Sequence, residues 1–349
     1  MRWPEKDAVA AGVVEMLTVN MGLSAGETLV VVSDVPRVSE WQHQKPSRLR
    51  SMLTRAMLGR IVAAVAAERF PDCEVTFFPF PSAGGHGAEP DPVLGEQLQA
   101  ADVAIALTTY SLSHTDAREA ATEAGVRLAS MPGFETRMLE AGGPLAVDHK
   151  AIARDCRVIA DRLTAAEHVR VRTGDGTDLT FSLEGRPGQV DDGLYGTEPG
   201  LWGNLPAGET YAVPLEGTGE GRLVVPAGWY PELEEQMVFS FKKGEVVKLT
   251  GGGAVGDEFR EALQLDSDDP LARRRRNLAE LGIGTNPNAK RPDNVLEAEK
   301  IKGTVHIAIG DNFHMGGTVE ADIHEDFVQP EPDLILDGET VIKKGQWCW

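Results

Sequence analysis

Cysteine is scarce in this chain. Only Cys73, Cys156 and Cys348 occur among 349 residues, too few and too scattered for a disulfide framework or a zinc ribbon. A reducing compartment fits that usage. Long hydrophobic runs are also missing, and no stretch approaches the ~20 apolar residues that a membrane-crossing helix needs. The opening MRWPEKDAVAAGVVEMLTVNMGL has early charges, Pro4 and no apolar centre. It reads as an amphipathic helix rather than a signal peptide, so a cytoplasmic, soluble protein is expected. Positive charge is in deficit: 34 Lys and Arg stand against 54 Asp and Glu, a net charge of −20. Phosphates would be repelled, which argues against nucleic acid or an anionic membrane as partner. The surplus itself reads as solvated surface and identifies no cationic partner.

Apolar residues make up 42% of the chain and glycine is plentiful, 38 of 349, against a usual ~7%. That suits a sizeable core together with turn-rich β structure. Residues 27–131 alternate short apolar strands with helical stretches: ETLVVVSD, then 49–69 at helical spacing, CEVTFFPF, ADVAIAL and VRLASM. This rhythm predicts an α/β domain with a mostly parallel sheet and helices on its faces. A long helix is expected over 146–165. From 168 the texture changes to hairpins, the first being HVRVRTGDGTDLTFSLEG around Gly174-Asp175-Gly176. One helical stretch near 257–281 interrupts the strands. The expected organisation is an α/β domain over 1–165 and a β-rich α+β domain over 166–349, the latter carrying the chemistry.

Several conspicuous features read as structural. Gly251, Gly253 and Gly256 form a GxGxxG, but the strand before it looks like half of a hairpin and no parallel βαβ unit surrounds it. A chain-reversing turn is the better reading than a dinucleotide fingerprint. Arg273–Arg276 lies behind Asp266, Asp268 and Asp269 in an acidic chain, which suggests local charge pairing and complementation of a helix C-terminus. His43, His86, His114, His149, His168 and His314 lack neighbours at metal-ligand spacing.

Three C-terminal segments differ. In IHEDF, His324 and Asp326 stand at i, i+2, so on a strand both point to one face and can share one ion. In VHIAIGDNF, His306 faces away from Val305, Ile307 and Ile309, and a buried polar residue there needs a partner. In LAELGIGTNP, Glu280 is expected to end a helix just before a glycine turn, where the helix dipole gives a carboxylate nothing. A cation is one compensating explanation. Ordinary surface residues are the other. A mixed N/O donor set would suit Zn, Co, Mn or Fe(II).

NLAELGIGTNPNAKRPDNVLEAEKIKGTVHIAIGDN, with the later IHED and with LPAGETYAVP (205–214), resembles the C-terminal half of the aminopeptidase T and aminopeptidase S metallopeptidase family. The likeness spans roughly residues 195–340 and is mainly architectural before 165. It implies a dinuclear metal site: Glu209 bridging two divalent ions, Glu280 and His324 completing one shell, His306 and Asp326 the other. Glu299 matches a family glutamate that would serve as ligand, as outer support or as proton carrier. The resemblance further implies a metal-bridging hydroxide that cleaves an N-terminal aminoacyl or small amide bond, and a homodimer.

Two departures accompany it. Phe313 stands seven residues after His306, where the peptidases have a catalytic tyrosine, and a phenyl ring donates no proton. His314 or Tyr211 would have to substitute. His306 and His324 are also only 18 residues apart, closer than in the peptidases. The short chain and EPGLWGNLPAGE (198–209) resemble a sister branch, the 2,5-dihydroxypyridine 5,6-dioxygenases, which use one Fe(II) and O2. They keep the His-x-Asp pair but have histidine where this chain has Glu280, and they lack the bridging glutamate. The leading expectation is thus a two-metal aminopeptidase-type hydrolase. The alternatives are a mononuclear Fe(II) ring-cleaving dioxygenase and a non-catalytic metal- or ligand-binding member.

Overall fold

The computed structural model describes residues 3–349, which fall into two compact units. The first holds the chain up to Asp148 together with Gly193–Ala207. Its five-stranded sheet runs in the order Glu74–Pro81, Thr28–Val35, Val103–Ala106, Arg127–Ser130 and Trp202–Asn204, with every pairing parallel. Near-continuous apolar strands such as Leu29–Val32 and Val103–Ala106 are what a sheet covered on both faces requires. Helices start where local chemistry starts them. Asp91 caps Pro92–Gln99, with proline at the first turn, and Thr115 caps Asp116–Glu123. The expected N-terminal helix is Lys6–Glu15, and Val9 and Val13 lie on its buried face.

The second unit holds His149–Asp192 and Gly208–Trp349. The units therefore part at 148/149, and the segment 193–207 returns to the first, whereas the sequence suggested one boundary at 165. The helix His149–Ala165 explains the difference. It buries Ile152, Cys156, Ile159, Ala160 and Leu163, and Thr210 Oγ1 donates to the Cys156 carbonyl at 3.0 Å. It is part of the β-rich core rather than a connector to it. Two antiparallel sheets build that core. An eight-stranded sheet includes the hairpin His168–Arg172 with Asp178–Ser182. A five-stranded sheet runs His324–Gln329, Val305–Gly310, Leu278–Gly284, Glu209–Ala212, Gln189–Asp191. Val171, Leu179, Leu223 and Phe239 from the first join Leu281, Ile283, Val305, Ile307, Ile309 and Phe327 from the second in one buried cluster.

The helix expected over 257–281 is two short helices and a strand. Gly253–Leu263 ends at Gln264 in a left-handed conformation, and Pro270–Arg275 restarts behind an Asp269 cap. Leu278–Gly284 is then extended and central in its sheet. The GxGxxG joins a strand to a helix: Gly251 ends the strand Glu245–Gly251, and Gly253 and Gly256 lie in the helix Gly253–Leu263; the strand pairs antiparallel with Met237–Lys242, so no parallel βαβ unit surrounds the motif. The arginine run pairs with more distant acids than those just before it. Arg273 meets Glu245 at 3.0 Å and Arg275 meets Asp322 at 2.6 Å, while Arg276 donates to the carbonyls of Leu263, Gln264 and Ser267. Among the described residues no helix is long and apolar enough to cross a membrane.

Candidate metal centre

The register of the five-stranded sheet assembles the site. Residues directly opposite one another in a sheet share a face, as do residues two apart along a strand. Ala308 lies between Glu280 on one neighbouring strand and Asp326 on the other. Two residues away, His306 pairs with Gly282, and His324 pairs with Gly310. Further across, Glu209 pairs with both Gly284 and Asp191, and Tyr211 pairs with Gly282. Asp191, Glu209, Tyr211, Glu280, His306, His324 and Asp326 thus share one face. The intervening residues of the opposite face go to the apolar core. Glu280 therefore owes its place to strand pairing and not to a helix end, which removes the dipole argument for a cation there.

The face has room because its small residues leave it bare. A Cβ on Gly282 would fall 1.9 Å from His306 Nε2. A Cβ on Gly284 would fall 2.1 Å from the Ile301 carbonyl oxygen and 2.8 Å from that of Glu299. The segment after the short helix Val295–Ala298 can lie against the sheet only because position 284 has no side chain, and it brings Glu299 and Lys300 to the same pocket.

All five residues expected as metal ligands converge here. His324 Nε2 lies 3.1 Å from Glu280 Oε2 and 3.6 Å from Asp326 Oδ2. His306 Nε2 lies 3.3 Å from Glu280 Oε1 and 3.4 Å from Glu209 Oε2. The His324 Nδ1 edge is held 2.7 Å from the Asp311 carbonyl oxygen. Lys300 Nζ sits 2.5 Å from Glu209 Oε1 and 3.0 Å from Glu299 Oε2, with no exposed surface. Donor atoms of Glu280, His324 and Asp326 all lie within 4.8 Å of one another, close enough to hold one ion. Glu209 Oε2, Asp326 Oδ1 and His306 Nδ1 are buried without a hydrogen-bond partner.

This donor set fits a cation. Four carboxylates, Asp191, Glu209, Glu280 and Asp326, outnumber one ammonium and two imidazoles even when both rings are protonated and Glu299 is neutral. Buried charge without compensation is strongly unfavourable. Burial opposes ionisation of Glu280, yet the hydrogen bonds and charges of His306 and His324 outweigh it and hold its carboxyl far below the usual range. Burial also opposes ionisation of Asp326, and His324 lowers it despite that. Glu299 goes the other way: burial, against the opposing pull of Lys300 and with the push of Asp326 and Glu209, raises it to about 8. Burial works against a charge on Lys300 too, but Glu209 and Glu299 hold its ammonium firmly protonated.

Two positions answer the tyrosine question. Phe313 lies in a short turn, Phe313–Met315, and is 55% exposed. His314 Nδ1 is bound 3.1 Å from Asp311 Oδ2. Tyr211 is on the site face and donates its hydroxyl to Gln189 Oε1 at 3.3 Å. Its burial, with Glu280, Asp191 and Glu209 nearby, keeps it protonated. Sequence reasoning missed Lys300 and Asp191. The signal for Lys300 was present: a lysine directly after Glu299, inside a segment that packs, must find acids.

The histidines give the metal-free protein a pH signature. Burial disfavours charge on both rings, but Glu280 and Glu209 raise His306 to about 9, and Asp326 and Glu280 lift His324 well above its ordinary value. Raised histidine values stabilise the fold below about pH 6.5, and that contribution is lost as pH rises through the folded values. Glu299 acts in the same direction. The melting temperature of the metal-free protein is therefore expected to fall from pH 6.5 to 9, by roughly 5 °C or more at about 2–4 °C per kcal/mol. Histidines bound to metal are neutral, so the rise in melting temperature on adding metal should grow over the same window. Calorimetry with EDTA and with Mn(II) tests this, and a flat metal-free profile contradicts it.

With the geometry described, comparison adds context. A family model for NicX, 2,5-dihydroxypyridine 5,6-dioxygenase, matches residues 20–348. No curated protein matches the sequence. Among solved structures, 2,5-dihydroxypyridine dioxygenase from Pseudomonas putida KT2440 is similar at TM-score 0.73 and 18% identity, over 98% of this chain and 97% of that one. Wild-type AmpT from Thermus thermophilus is similar at TM-score 0.62 and 16% identity, over 99% and 100%. At such identities the likeness to these structures is one of fold, and the two-unit α/β and β-rich architecture is theirs as well.

Proposed function

Because the chain belongs to the NicX, 2,5-dihydroxypyridine 5,6-dioxygenase, family, an enzyme family, we propose that it uses one divalent ion, Fe(II), to open a hydroxylated nitrogen heteroaromatic ring with O2. The observation that carries this reading is the cluster of Glu280, His324 and Asp326, whose donor atoms lie within 4.8 Å of one another. One imidazole and two carboxylates leave open positions on an ion that prefers six, one histidine fewer than the two-histidine, one-carboxylate set typical of Fe(II). The bound ion would bring O2 and the ring together and pass electrons between them, the dihydroxylated ring itself being the four-electron reductant. One ring C–C bond breaks and both oxygen atoms enter the product, so no external reductant is required.

The chain's own residues would do the rest. Glu299, which keeps its proton near neutral pH, and the Tyr211 hydroxyl are the groups placed to hand over or hold a proton. Glu280 in place of histidine makes the donor set richer in carboxylate than the resemblance implies for the dioxygenases.

A second reading is the two-ion aminopeptidase-type hydrolase. The specific observation for it is that Glu209 and His306 stand in the same pocket, with Glu209 Oε2 buried and without a hydrogen-bond partner. A bridging carboxylate would use that atom. The exposed Phe313 counts against it, since no phenol stands at that position.

Two assays separate the readings. Protein reconstituted anaerobically with Fe(II) is expected to consume O2 when given dihydroxypyridines, with one iron per chain by mass spectrometry. No uptake across such rings defeats the first reading. Hydrolysis of aminoacyl amides by Co(II)- or Zn(II)-loaded protein, with two ions per chain, would establish the second.

A further inference from the structure

We infer that Gln189 is a positioning residue that turns the Tyr211 hydrogen away from the site's carboxylates, so that the phenol oxygen accepts a hydrogen bond from the substrate instead of donating one. The inference rests on the ring-opening reading and deepens it. It assigns a group that recognises a hydroxyl or ring N–H of the heteroaromatic substrate.

Gln189 and Tyr211 are directly opposed in the five-stranded sheet. Gln189 also stands two residues from Asp191 on the edge strand, so it shares the site face. Its amide has two ends of opposite kind, and both are in use. Nε2 donates to the Met315 carbonyl oxygen at 2.8 Å. A carbonyl can only accept, so the NH2 end must face Met315 and Oε1 must face Tyr211. Oε1 in turn can only accept, which makes the Tyr211 hydroxyl the donor in their 3.3 Å contact.

The Met315 end is fixed. Arg186 Nη1 donates to the Gly316 carbonyl at 2.7 Å, and Glu216 Oε1 accepts from Thr318 N at 2.8 Å and from Asn312 Nδ2 at 3.1 Å. A flipped amide would set its oxygen against a carbonyl held in place by that loop. Burial, and then the nearness of Glu280, Asp191 and Glu209, keeps the phenol protonated. Each of those carboxylates would take its hydrogen bond if Gln189 did not.

With the hydrogen committed, the capacity left to the phenol is that of an acceptor. Ionised carboxylates cannot supply a hydrogen to it, whereas a substrate O–H or N–H can. Tyr211 and His306 are both paired with Gly282, two residues from Glu280, so a ring bound at the Glu280, His324 and Asp326 cluster lies on the same face. Of the two groups placed to handle a proton, Glu299 is then the one that gives it.

The test reads affinity rather than turnover. The full chain loaded with Mn(II) is titrated anaerobically, by calorimetry, with 2,5-dihydroxypyridine, 2-hydroxypyridine and 3-hydroxypyridine. Each of the last two lacks one donor of the first. Wild type is expected to prefer the dihydroxylated ring over one of them by an extra factor of roughly 2–10, the worth of one neutral hydrogen bond. Tyr211→Phe is expected to lose that factor, and comparing the ratios cancels the bonding of ring to metal. Gln189→Met is expected to lose it too, with Tyr211 intact. Gln189→Glu, which keeps an acceptor opposite the phenol, is expected to retain it. Equal preference in wild type and Tyr211→Phe overturns the inference, while binding of the rings leaves the ring-opening reading standing. A preference kept in folded Gln189→Met, or lost in folded Gln189→Glu, overturns the role of Gln189. No binding of any of the three rings to Mn(II)-loaded wild type defeats the ring-opening reading, and the inference with it.

Discussion

His324→Ala is expected to lose its divalent ion and to melt well below wild type even without metal. Three contacts disappear together: Nδ1 on the Asp311 carbonyl at 2.7 Å, and Nε2 beside Glu280 Oε2 at 3.1 Å and Asp326 Oδ2 at 3.6 Å. In the metal-free protein this imidazole is the positive group between two buried carboxylates that flank Ala308. Removing one partner of a buried pair costs about 3–5 kcal/mol, because the remaining charge is left uncompensated. Loss of metal adds a second, separable effect. A ligand present at about 100 times its dissociation constant stabilises the fold by roughly 2.7 kcal/mol. Wild type should show that gain on adding Mn(II), and His324→Ala should show almost none. Paired melting curves with EDTA and with Mn(II) separate the two contributions. A variant that keeps the wild-type metal shift would place the ion elsewhere.

Much of this site was legible in the sequence, for reasons of strand geometry. His324 and Asp326 at i, i+2, and His306 among Val305, Ile307 and Ile309, are period-two patterns that need no partner strand to interpret. The β-α-β rhythm before residue 131 was equally local. Glu280 was found as a residue but set on the wrong element. LAELGIG follows a helix-forming arginine run, and a short apolar segment does not itself distinguish strand from helix. The deciding fact, hydrogen bonding to Val305–Gly310 on one side and Glu209–Ala212 on the other, is long-range. The return of 193–207 to the first unit is long-range as well, since only pairing of Trp202–Asn204 with Arg127–Ser130 reveals it. Lys300 escaped notice because a lysine in sequence is presumed solvated, and its burial depends on a glycine sixteen positions earlier. The leading sequence expectation was a hydrolase, from the ligand set. The family model matches the dioxygenase branch, toward which the loop lengths already pointed.

Gly282→Ala should damage the site as severely as loss of a ligand, although it adds one methyl group and touches no proposed ligand's sequence position. The new Cβ would stand 1.9 Å from His306 Nε2, 2.1 Å from Cε1 and 2.7 Å from Cδ2. No carbon sits that close to a ring, so the imidazole must turn away. It is 1% exposed and hemmed in by its own sheet, so the rotation breaks its contacts with Glu280 and Glu209 and forces neighbours to shift. Overpacking of this kind costs about 1–3 kcal/mol. His306 lies 3.3 Å from the proposed ligand Glu280, and displacing a group that orients a metal's ligands typically costs about 10–100-fold in affinity. A double-mutant cycle isolates the cause. If the clash with the ring is the mechanism, His306→Ala should relieve most of the packing penalty of Gly282→Ala, and the two effects should be strongly non-additive. Additive losses would mean that the methyl group acts on the strand itself. Wild-type metal affinity in Gly282→Ala would mean that His306 does not support Glu280 from the position found here.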